Sequence, residues 1–113
     1  MTVSPRLALA RLAERAALED PGVQALDAGP AGLRATHTRD GGVRGVVAAA
    51  DDSGGFSLDL HVVALPEDLH ALADRVRVTV RESAAASGIQ DQLRAVSVHI
   101  EDIAESAHEG RVS

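Results

Sequence analysis

Five histidines and seventeen carboxylates hold most of the polar chemistry open to this chain. Between residues 56 and 65, Phe56, Leu58, Leu60, Val62 and Ala64 alternate with Ser57, Asp59, His61 and Val63. Between 93 and 101, Val96, Val98 and Ile100 alternate with Ser97, His99 and Glu101. A period of two places Asp59 and His61 on one face of a strand, and His99 and Glu101 on one face of another. If the strands are neighbours, these four residues make a two-histidine, two-carboxylate set, the donor chemistry of a divalent metal or small-ligand site. The same residue types also line ordinary wet sheet faces. Solvated side chains are the preferred reading, with no metal assigned.

Other chemistry is scarce. Cysteine, lysine and tyrosine are absent, and all eleven basic residues are arginine. Disulfides, thiolate ligands, cysteine nucleophiles and Schiff-base lysines are thereby excluded. Ser53, Ser57, Ser83, Ser87 and Ser97 sit in no glycine-framed nucleophile elbow. Asp51 and Asp52 lack the further oxygen ligands of a calcium loop and read as a turn. No catalytic constellation emerges, so the expectation is a non-enzyme without a cofactor.

Gly42-Val43-Arg44-Gly45 matches the GxxG pattern with which KH domains clamp a nucleic-acid backbone. That loop belongs between two helices, whereas here it leads into an apolar run. A net charge of −6 and a single aromatic residue, Phe56, also oppose nucleic-acid binding. Arg75, Arg77 and Arg81 could form a basic patch for an acidic partner or lipid headgroups. The alternative is a solvated helix face with pairs such as Asp74 and Arg77, each worth about 0.2–0.5 kcal/mol.

These groups need a scaffold, and 113 residues suffice for one domain with one aliphatic core. Residues 6–18 predict an amphipathic helix, with Ser4 as N-cap and Pro5 at the first helical position, stopped by Asp20-Pro21-Gly22. Residues 23–27 predict a weak strand, and 28–42, rich in glycine, mostly loop. Strands over 43–50 and 56–65 flank hairpin-turn chemistry at Asp51-Asp52-Ser53-Gly54-Gly55. Pro66 is expected to open a second helix carrying Leu69, Leu72, Ala73, Val76 and Val80, and Ser87-Gly88 to close it. A last strand covers 93–101. The order α-β-β-β-α-β predicts an α+β, two-layer sandwich: a small mixed sheet with two helices on one face. The domain spans 1–103, and 104–113 is expected to be a flexible tail. No run approaches the roughly 20 apolar residues that span a bilayer, and no secretory signal is visible. The expectation is a cytoplasmic protein without direct membrane insertion.

The stretch from Leu9 through Ala16 and Ala17 to Pro21-Gly22-Val23 resembles the opening of the alkaline shock protein family, envelope stress response proteins of Gram-positive bacteria. Gly45-Val46-Val47, residues 56–63, the helix through Val76 and Val80, and residues 96–100 are similar to the family's later blocks, in order. The resemblance covers about residues 7–103. It departs at Ala64-Leu65-Pro66, where family members carry a Tyr-Gly pair, and at Ser97, where they carry asparagine.

The resemblance implies a non-enzymatic stress response protein that self-associates and is held at the inner face of the cell membrane by a small membrane-anchored partner, a peripheral association. Expected contact surfaces are the edge of the 43–50 strand, including Val43 and Val47, and the side of the second helix bearing Arg75, Arg77 and Arg81. The alternatives are a ligand- or metal-sensing module using the face of His61, His99, Asp59 and Glu101, and a KH-like nucleic-acid binder.

Overall fold

A computed structural model describes residues 4–105. Helix α1 (Pro5–Leu18) opens as predicted, with the Leu7 amide donating to the Ser4 hydroxyl oxygen at 3.2 Å and Pro5 in the first turn. Its stripe of Leu9, Leu12, Ala13, Ala16 and Ala17 is buried. A short strand β1 (Val23–Leu26) follows the Pro21-Gly22 turn.

The stretch 28–42 is not mostly loop. It contains a single 3-10 turn (Pro30–Gly32) and then β2 (Ala35–Thr38), which pairs antiparallel with β3 (Gly41–Arg44). The strand expected over 43–50 is also not continuous. Gly45, at φ +82°, separates β3 from β4 (Val46–Ala50). Six strands thus stand among the described residues where four are expected, β2 and the break at Gly45 being hidden in a glycine-rich segment.

Strand β5 (Phe56–Ala64) is the centre of the main sheet. The Asp51–Gly55 turn joins it to β4, with the Asp51 amide donating to the Gly55 carbonyl. Helix α2 (Leu69–Ala86) begins three residues after Pro66, because the Asp68 carboxylate caps it by accepting from the Ala71 amide at 3.1 Å. The cap, not the proline, decides where this helix starts. Gly88, at φ +75°, ends it as expected.

The last strand, β6 (Leu93–Ile103), lies parallel to β5. On the opposite side of β5, β4 pairs along Phe56 to Leu60 and β1 along Val62 to Ala64, both antiparallel. His61 falls in the gap between them. Its amide donates to the Gly45 carbonyl at 2.8 Å, and its carbonyl accepts from the Asp27 amide at 2.8 Å, so the seam is fully bonded.

Leu58, Leu60, Val62 and Ala64 of β5, with Val46 and Ala48 of β4 and Val96 of β6, face the helices and are buried. Helix α1 covers β4 and β1, α2 covers β6, and the helices touch each other. The result is the expected two-layer α+β arrangement, with one sheet face packed and one open. No described helix is long and apolar enough to cross a membrane. The expected tail starts with Ala104, whose amide is bonded to the Ala64 carbonyl; residues 106–113, including His108, lie outside the described residues.

Candidate functional site

The open face of the sheet brings the four predicted polar residues together. In the parallel register His61 stands opposite His99, and Asp59 opposite Ser97. The two imidazoles stack, with centroids 4.7 Å apart and planes inclined by 12°. His61 Nδ1 lies 2.7 Å from Glu101 Oε2, and His99 Nε2 lies 2.8 Å from Asp59 Oδ1. Each histidine thus takes a carboxylate from the other strand, one on each side of the stack.

Arg34 completes the row, its Nη1 standing 2.6 Å from Glu101 Oε1. It was not among the predicted site residues, because it lies in the segment read as loop. Its backbone is nevertheless pinned on both sides: its amide donates to the Ala28 carbonyl, and its carbonyl accepts from Gly45, each at 2.7 Å. The row runs Arg34, Glu101, His61, His99, Asp59. His61 and Glu101 are shielded by the packing around them, whereas His99 and Asp59 are open to water.

The hydrogen bonds from His61 and then Arg34 hold the Glu101 carboxyl below the usual carboxylate range. A carboxylate with a depressed folded-state pKa stabilises the fold above its unfolded pKa, and that contribution is lost as pH falls through the folded value. Glu101→Gln should therefore be less stable than the wild type at neutral pH. The difference should shrink as pH drops below about 4, where the unfolded carboxylate also protonates. Urea denaturation across a pH series checks this; a gap that widens toward acid would contradict it.

Each imidazole bonds one nitrogen to a carboxylate, and the two nearly parallel rings lie against each other between those carboxylates. Among the described residues, no group of three or more His, Asp or Glu is arranged to hold a metal. The row is a set of paired charges across two strands.

The predicted partner-contact residues are also used internally. Arg75 grips Asp20 in a two-pronged contact at 3.0 Å and Glu67 at 2.8 Å, tying α2 to the corner after α1. The Arg75 bond, reinforced by the Gly22 amide, lowers the Asp20 pKa. Arg77 pairs with Asp74, and Arg81 donates to the Arg94 carbonyl at 2.8 Å. Val43 is buried rather than displayed at an edge. Val47 lies opposite Asp59 and is half-buried on the open face. On the outer side of β4 the Thr36 hydroxyl of β2 takes the Val46 carbonyl and the Ala48 amide, so those two backbone groups are not open to strand addition. Gly42 to Arg44 lie within β3 and not in a loop between helices, which removes the KH-like reading.

Compared with protein-family models, curated proteins and solved structures, the chain matches none.

Proposed function

We propose that this chain is a non-enzymatic interaction domain that associates with itself. The observation that supports this reading is β6, which runs from Leu93 to Ile103 and is hydrogen-bonded to β5 on one side only. An unpaired edge of that length offers backbone donors and acceptors to another strand. Along it Val98 and Ile100 are only partly covered by the core they pack against. The polar row beside it is closed on itself, each histidine bonded to a carboxylate, and works as a cross-strand clasp between β5 and β6.

The sequence resemblance adds the setting: an envelope stress response, with the domain held at the inner face of the membrane by a membrane-anchored partner. Two differently tagged copies expressed together should capture each other, and part of the population should fractionate with membranes together with a membrane-spanning protein. A freely dispersed chain that captures neither a second copy nor a membrane protein overturns the proposal.

A further inference from the structure

We infer that the β2–β3 hairpin is a hinged strap over the outer edge of β4, and that this edge opens to an extended strand only when the strap lifts. The edge lies on the far side of β5 from β6, so the strap operates whether or not two copies associate through β6.

The backbone groups of β4 point alternately toward β5 and away from it. The Gly45 carbonyl accepts from the His61 amide and the Asp51 amide donates to the Gly55 carbonyl, in the same register that sets Val47 against Asp59 and Ala49 against Ser57. Val47 and Ala49 therefore direct their amides to β5, while those of Val46, Ala48 and Ala50 face outward. No strand forms a ladder with that outer edge. Instead the Thr36 hydroxyl bonds the Val46 carbonyl and the Ala48 amide. A bare edge invites pairing with another chain, and a covering segment is one of the ways in which folds prevent it.

The cover can come away in one piece. Residues 35–38 pair with 41–44 in a ladder of their own, and the Thr38 hydroxyl closes the turn, accepting from the Asp40 amide at 3.2 Å and donating to the Gly41 carbonyl at 3.0 Å. None of these bonds involves the main sheet, so lifting leaves them made. Of residues 35–44 only Thr36 and Val43 are buried, which leaves little apolar area to hold the strap down. Its base stays behind: the Arg34 carbonyl accepts from Gly45 and the Arg34 amide donates to Ala28, each at 2.7 Å, and Arg34 pairs with Glu101. The pivot is thus the Arg34–Gly45 pair, with Gly45 at φ +82°.

Native-state amide exchange and thiol labelling read the motion in the full chain. In the wild type the Ala48 amide should exchange at least about tenfold faster than its neighbours Val47 and Ala49, after correction for intrinsic rates. Val43→Cys, the sole thiol on a cysteine-free chain, should label at least about tenfold faster than Val62→Cys in the centre of the core. Adding Thr36→Val should raise both the Ala48 and the Val43→Cys rates about tenfold or more, and Thr36→Ser much less. Thr36→Val should also form larger species than the wild type in sedimentation, reversed by Ala50→Lys, an exposed change that charges the same edge. Ala48 as slow as Val47 and Ala49, with Val43→Cys labelling no faster than Val62→Cys, overturns the strap. Faster opening in Thr36→Val with no growth beyond the wild type's size overturns its covering role.

Discussion

Thr36→Val should destabilise the fold by about 2–5 kcal/mol while changing the shape of the side chain very little. Thr36 is the one buried polar side chain among the described residues. Its hydroxyl donates to the Val46 carbonyl at 2.7 Å and accepts from the Ala48 amide at 2.9 Å. Those two backbone groups belong to the outer side of β4, where β2 lies alongside without forming a regular ladder. One hydroxyl therefore substitutes for two ladder bonds and fastens the β2–β3 hairpin to the main sheet. Valine would leave a donor and an acceptor buried and unpartnered, each costing about 1–3 kcal/mol. Thr36→Ser keeps the hydroxyl and removes one methyl, for about 1 kcal/mol. Urea denaturation of the two variants separates the effects. Equal losses would mean that packing, and not the hydrogen bonds, holds the hairpin. If the hairpin loosens, amide exchange in residues 35–44 should rise first, because local opening precedes global unfolding where the attachment is weakest.

What the sequence makes legible depends on how much of an element is buried in a repeating pattern. Strands β5 and β6 alternate cleanly, so their inward faces and the shared face of Asp59, His61, His99 and Glu101 can be read from spacing. The pairing on that face cannot. It depends on the parallel register and on the irregularity at Glu101, both set by tertiary packing. Arg34 is invisible for a related reason, since only the folded position of the 3-10 turn brings it to Glu101. In β2, Thr36 alone is buried, so no apolar alternation marks Ala35 to Thr38 as a strand. At α2, Pro66 reads as the helix start, but the carboxylate of Asp68, two residues later, makes the cap. The arginines of that helix look free in one dimension. In three, Asp20 and Glu67 converge on Arg75 from distant parts of the chain.

Gly45 is the second position where one atom should have a large effect. Within Val43 to Ala50 it looks like a tolerated interruption of an apolar run, but a glycine inside a strand pattern often marks a close backbone approach. Here its φ is +82°, and an added Cβ would lie 2.7 Å from Leu26 Cβ and 3.0 Å from the Asp27 nitrogen. The left-handed conformation alone costs an alanine about 1–2 kcal/mol. The contact with Asp27 is with backbone, which cannot swing aside as a side-chain tip would, so Gly45→Ala should cost about 2–4 kcal/mol in all. Gly54→Ala is the matched control: φ is +89°, but the nearest atom to its added Cβ is Arg94 Nη2 at 3.8 Å, so it carries the conformational term without the crowding. Gly45 also donates its amide to Arg34 and accepts the amide of His61, so the same small residue positions both sides of the Glu101 clasp. Beyond the stability loss, Gly45→Ala should shift the imidazole resonances of His61 and, through the stack, of His99, whereas Gly54→Ala should leave them in place. If the two alanine variants lose equal stability and neither moves those resonances, the close approach at Gly45 is not what sets the seam between β4 and β1.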